Sequence, residues 1–206
     1  MFITLEGPEG SGKTSQVPPL AAYLEEQGYD VLVTREPGGT VVSDQIRDVL
    51  MNLKNVSIVP RTEILLFLAA RAQHVEGLIR PALKAGKLVL CDRFGDSTLA
   101  YQGYGHETDL DNLRYLLNYA TGGLTPDLTL LLDIPVEVGM ERKRKNESEW
   151  NRLDAYEEDF HKRVRKGYLE LANLEPNRWQ VIDASKDKEH VQEAMRQAVM
   201  SRLTKN

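Results

Sequence analysis

A chain of 206 residues, 41% hydrophobic and 28% charged, has the composition of a soluble globular protein with one substantial core. Its net charge of −5 argues against a nucleic-acid-binding surface, which needs a basic face. No apolar run approaches the ~18 residues of a membrane span, so neither nucleic acid nor membrane is expected as a partner. The one cysteine, Cys91, excludes an internal disulfide framework and suits a reducing compartment. The N-terminus reads as a strand rather than a signal peptide. A cytoplasmic protein with a single domain over 1–206 is the expectation.

Phe2-Ile3-Thr4-Leu5 reads as a short buried strand, and Gly7-Pro8-Glu9-Gly10-Ser11-Gly12-Lys13-Thr14 follows it. That octet fits G-x-x-x-x-G-K-[ST], the phosphate-binding P-loop. A helical pattern over 13–27 comes next, with Leu20, Ala21 and Leu24 at helical spacing. Glycines here let backbone N–H groups turn inward around a polyphosphate, at the positive end of a helix. Lys13 is placed to reach the β- and γ-phosphates and the Thr14 hydroxyl to ligate Mg²⁺.

Further apolar runs at Val31–Thr34, Leu88–Cys91, Leu128–Leu132 and Trp179–Ile182 suit strands buried on both faces. Helical patterns lie between them at 41–52, 62–85, 109–121, 136–146, 156–173 and 188–203. This alternation predicts a three-layer α/β P-loop NTPase fold. A five-stranded parallel sheet is flanked by helices, with ligands at the strand carboxyl ends. Cys91, inside an apolar strand, reads as a buried inert thiol.

Two strand ends carry charge on that ligand side. Arg35 and Glu36 precede the Pro37-Gly38-Gly39 turn. Asp92-Arg93-Phe94 leaves the third strand, where an aspartate can orient Mg²⁺ through water and an arginine can clamp phosphate. In the helix over 62–85, Thr62 is a candidate N-cap, and Ile64, Leu65, Leu68, Val75, Ile79 and Ala82 form the expected core stripe. Phe67 and Arg71 stand four apart and share a face. The segment 141–154 carries four cations in a row from Arg142 to Lys145 and reads as a small mobile lid closing over a triphosphate. Asp92-Arg93-Phe94-Gly95 also fits the D-x-x-G of GTPases, but no guanine-reading N-K-x-D follows it.

Glu6–Thr14, Arg35-Glu36-Pro37-Gly38-Gly39-Thr40, Leu66-Phe67 through Arg71, Asp92 through Gly103, and Asn151-Arg152-Leu153-Asp154 together resemble the bacterial thymidylate kinases. The motifs stand in the family's order along essentially the whole chain. The resemblance implies Mg²⁺-dependent transfer of the γ-phosphoryl of ATP to dTMP by a homodimer. It gives Glu9 a contact with the deoxyribose 3′-hydroxyl and stacks Phe67 on thymine. Arg71, Thr98 and Gln102 would approach the base edge, Arg47 and Arg93 the acceptor phosphate, and Tyr101 the sugar 2′ position. Glu36 falls near the phosphate and metal without a single assignable role. Some members carry arginine where this chain has Gly10, and its absence implies catalytic arginines drawn from the lid. Beside Lys13 and Arg93, the candidates are Arg142, Arg144 and Arg152. Arg152 ranks first because Asn-Arg-Leu-Asp matches the family best.

Overall fold

The computed structural model describes residues 1–145 and 151–204. All five expected strands form: β1 (Phe2–Glu6), β2 (Val31–Arg35), β3 (Leu88–Asp92), β4 (Leu128–Asp133) and β5 (Trp179–Asp183). They pair in parallel in the order β2-β3-β1-β4-β5. The order reverses direction at β1, so the crevice beyond its carboxyl end is where such a sheet binds ligands.

Alternation along β1 sorts its side chains to two faces. Ile3 and Leu5 join Leu20 and Leu24 of α1 (Lys13–Glu26) and Met195 and Val199 of α9 (Lys188–Leu203). Phe2 points the other way, to Val75, Ile79 and Phe94. Farther along that second face, Leu131 packs with Leu113 of α6 (Leu110–Thr121) and Val164 and Tyr168 of α8 (Glu158–Leu174). Helices on both faces give the three layers. Cys91 is buried, and that burial raises its thiol pKa well above the ordinary value.

Between β2 and β3 run α2 (Val41–Met51) and a long helical stretch: α3 (Pro60–His74), a π-helical turn Val75–Ile79 and α4 (Arg80–Lys84). The stretch starts two residues before Thr62. Pro60 takes the first turn, where a missing N–H costs nothing, and Val59 holds the cap position without a side-chain bond. The expected core stripe is also corrected at Leu65, which is 54% exposed. Glu63, Phe67, Arg71 and His74 are buried instead, because the polar members find partners on other elements: Glu36 for Arg71 and His74, and Gln102 and Arg152 for Glu63.

Residues 95–105, given no helical expectation, form α5 (Gly95–Thr98) and a π-helical segment Leu99–Gly105. Their glycines imitate turn punctuation. At Gly105 an added Cβ would stand 2.6 Å from the Phe160 ring, so glycine there allows α8 to approach closely. The lid region begins in α7 (Val136–Arg144) and resumes as a 3₁₀ turn Arg152–Ala155. Positions 146–150 of the expected lid lie outside the described residues.

Candidate active site

Gly7–Thr14 turns from β1 into α1 in the crevice. Gly7, Gly10 and Gly12 all have positive φ, conformations that glycine adopts without strain, and the first N–H groups of α1 are left without intrahelical partners. Gly10 also meets α7 backbone to backbone. A Cβ on Gly10 would lie 2.0 Å from the Gly139 carbonyl oxygen, and one on Gly139 would lie 2.3 Å from the Glu9 carbonyl oxygen. Lys13 is only 6% exposed. Its Nζ donates to the carbonyls of Gly7 (2.8 Å) and Pro8 (2.9 Å) and to Ser11 Oγ (3.1 Å). Burial, reinforced by nearby Arg93, lowers its pKa to about 8.

The Thr14 hydroxyl donates to Asp92 Oδ2 at 2.9 Å, which joins the two residues expected at a metal. Two hard oxygen donors side by side suit a cation that takes its other ligands from phosphate and water. No group of three or more metal-ligating side chains exists among the described residues.

Arg93 sits in the middle of the site in the left-handed region, at φ 69°, a strained backbone of the kind stored at functional positions. Its Nη2 donates to Glu9 Oε1 (2.8 Å) and to the Tyr101 hydroxyl (2.9 Å), its Nη1 to Ser97 Oγ (3.2 Å) and the Tyr168 hydroxyl (3.0 Å). Ser97, Tyr168 and the Phe94 N–H in turn donate to buried Glu6. Tyr101 also donates to Glu9 at 2.8 Å. Burial raises the Glu9 pKa, but Arg93, Lys13 and Lys143 outweigh it and hold the carboxyl at about 2.

Phe67, Arg71, Thr98 and Gln102 line the same cavity as Gly10–Thr14, Arg47 and Arg93, a cavity of about 1320 Å³. Gly7 and Pro8 stand behind it and supply carbonyls to Lys13. Arg71 is 2% exposed and spends its whole fork inside the protein. Nε donates to Glu36 Oε2 (2.6 Å), Nη1 to Thr98 Oγ1 (2.9 Å) and Nη2 to the Phe94 carbonyl (3.0 Å). Glu36 takes its second partner from His74 Nδ1 at 3.0 Å, so its side chain serves Arg71. Arg47 Nη1 donates to the Pro37 carbonyl at 2.9 Å.

The lid cations divide. Arg142 and Lys143 line the cavity, whereas Arg144 and Arg152 do not. Arg142 Nη1 donates to the Ala184 carbonyl at 3.0 Å, and Lys143 Nζ stands 3.4 Å from Asp154 Oδ2. Arg152 is 5% exposed, with Nε on the Leu50 carbonyl, Nη1 on the Tyr156 hydroxyl and Nη2 on Glu63. Every nitrogen of its fork is engaged away from the P-loop. The sequence reading passed over Glu6, Glu36 as a partner of Arg71, Glu63, His74 and Lys143. A faint signal existed for two of them, because Glu63, Phe67, Arg71 and His74 recur at helical spacing on one face.

Comparison with known proteins identifies the family. A family model described as thymidylate kinase matches residues 5–195. A thymidylate kinase of Thermomicrobium roseum is 55% identical over 94% of this chain and 91% of its own length. One of Geotalea uraniireducens is 50% identical over 98% and 97%. Among solved structures, thymidylate kinase from Ehrlichia chaffeensis superposes with a TM-score of 0.79 at 35% identity, covering 97% of this chain and 98% of that one. The chain belongs to the thymidylate kinase family of phosphotransferases.

Proposed function

We propose that this protein transfers the γ-phosphoryl group of ATP to dTMP, giving dTDP and ADP, as a cytoplasmic Mg²⁺-dependent enzyme. One observation carries the reading. A single cavity joins a P-loop to a buried pocket walled by Phe67, Arg71, Thr98 and Gln102, with Arg93 between them. Phe67 offers a ring for stacking a base, Arg47 and Arg93 offer charge to the acceptor phosphate, and Tyr101 with Glu9 frames the sugar. A nucleoside monophosphate has a second pKa of about 6, so its attacking oxygen is ionised and needs no general base. The work left to the protein is positioning and charge.

Lys13 and Arg93 supply that charge, and the described parts of the lid region bring Arg142, Lys143, Asn151 and Leu153 to the cavity. Arg142 and Lys143 are the described lid cations at the cavity, and they take precedence over Arg144 and Arg152 as the lid's contribution to the transferred phosphoryl. Thr14 and Asp92 would hold Mg²⁺, which supplies charge neutralisation at the phosphates. The apolar surface on α2, α3 and α6, where Val41, Leu65, Tyr115 and Tyr119 are exposed on helices that pack side by side, supports a homodimer as part of this reading.

The test is ADP release from ATP with dTMP, dUMP, UMP, CMP, AMP or GMP as acceptor. The expected result is highest kcat/KM for dTMP. Equal or higher kcat/KM for a purine or cytosine monophosphate would overturn the assignment.

A further inference from the structure

Glu63 lies in the first turn of α3 and is fully buried, at 0% exposure. Four donors converge on it. Gln102 Nε2 (2.8 Å) and His106 Nε2 (3.3 Å) reach Oε1, while the Tyr156 hydroxyl (3.1 Å) and Arg152 Nη2 reach Oε2. Burial alone would raise its pKa. Hydrogen bonds from His106, Gln102 and Arg152 outweigh burial and hold it at about 2, so Glu63 is a carboxylate at neutral pH.

A carboxylate only accepts hydrogen bonds. The Gln102 amide beside it therefore has one permitted orientation, NH₂ toward Glu63. Its carbonyl oxygen is the group left for the cavity that Gln102 lines with Phe67, Arg71 and Thr98, and no described residue donates to that oxygen. The neighbouring wall is equally committed, since Arg71 donates to Thr98 and Glu36. Gln102 is 2% exposed, so a wrong hydrogen-bond pairing there cannot be rescued cheaply by water.

We propose that Glu63 is a specificity-determining positioning residue. By fixing the Gln102 carbonyl toward the acceptor base, it selects pyrimidines with a ring N3–H and rejects cytosine, whose N3 is an acceptor. The proposal rests on reading this pocket as the dTMP site. It assigns the discrimination to a residue outside the cavity wall, acting through an amide that either orientation would otherwise fit. The same carboxylate also holds Arg152, so the base reader and the far end of the lid region share one anchor.

The test compares kcat/KM for dTMP, dUMP and dCMP in wild type, Glu63→Gln, Glu63→Asp and Gln102→Met, with thermal melting to establish that each is folded. A glutamine at 63 presents either NH₂ or C=O, which frees Gln102 to invert. Wild type should prefer dTMP over dCMP by about 10³-fold or more, as sites built on a buried hydrogen bond do. Glu63→Gln should shrink that ratio at least about tenfold. Glu63→Asp, still acceptor-only, should keep the order of preference even with lower turnover. Gln102→Met, which leaves Glu63 its other donors, should also shrink the ratio. A folded Glu63→Gln that loses rate equally on all three substrates would overturn the proposal and make Glu63 a structural anchor. If Glu63→Gln does not fold, an unchanged dTMP/dCMP ratio in Gln102→Met overturns it instead. A wild-type enzyme without activity on dTMP would refute the functional reading itself, before the variants are compared.

Discussion

The two ends of the cavity are built by opposite means. At the phosphate end, Gly7–Thr14 offers backbone N–H groups and one lysine held by carbonyls of its own loop. At the end proposed for the base, side chains from distant helices form the wall, with a buried carboxylate aiming two of them: Glu36 for Arg71, and Glu63 for Gln102. A backbone-built site needs glycine at fixed spacings and is rigid by construction. A side-chain-built site needs supporting groups, and removing one leaves a charge buried without its partner. Damage at the first end should therefore appear in turnover, and damage at the second in stability and selectivity.

The strongest way to sharpen this contrast is Lys13→Ala. It should lower kcat by about 10³-fold or more, since charge aimed at a transferring phosphoryl is the main catalytic term. The melting temperature should stay near wild type, and a variant that unfolds instead would show the lysine to be structural. Arg152→Ala should do the reverse, costing roughly 3 kcal/mol of unfolding free energy in urea because Glu63 remains buried and charged. An unchanged unfolding curve, with kcat reduced a hundredfold, would return Arg152 to the catalytic role the sequence suggested. Phe67→Ala should raise the KM for dTMP by an amount worth about 1–3 kcal/mol and leave the KM for ATP alone. Equal losses for both ligands would erase the boundary between the two ends.

The smallest expected effect is on pH dependence at the junction. Burial, then the nearby Asp96, raises the pKa of Glu6 to about 7, against the lowering influence of Arg93, Ser97 and the Phe94 N–H. A carboxyl that binds its proton more tightly when folded gives stability that is complete below its unfolded pKa of 4.5. That stability is lost as pH rises through about 7. The advantage of wild type over Glu6→Gln in urea unfolding should therefore shrink between about pH 5 and about pH 8. A gap that stays constant across that range would mean Glu6 does not titrate there.

The same contrast explains what the sequence disclosed. The strands, the alternating helices and the P-loop follow from local periodicity and spacing, so a short window holds the whole signal. Phe67 and Arg71 were visible because one helix turn relates them. Glu63 and Gln102 are 39 residues apart and Glu6 and Tyr168 162 apart, and no window contains both partners. Residues 95–105 misled for another reason, because glycine serves close packing there and mimics a turn. The partners of Arg152 were not legible either, because a motif records which residue is present and not which way its guanidinium turns.

Gly10 has a consequence of a different order. Members of this family that carry an arginine at that position and members that do not look one codon apart. The Gly139 carbonyl lies 2.0 Å from where a first side-chain carbon would stand, so in this chain the change is barred unless α7 moves. A retreat of the helix is a condition of the substitution, and it would open the close packing of α7 on the loop. Gly10→Arg alone should therefore cost stability in this chain. Gly139 thereby has a role that its missing side chain conceals, since it lets α7 lie against the Glu9 carbonyl.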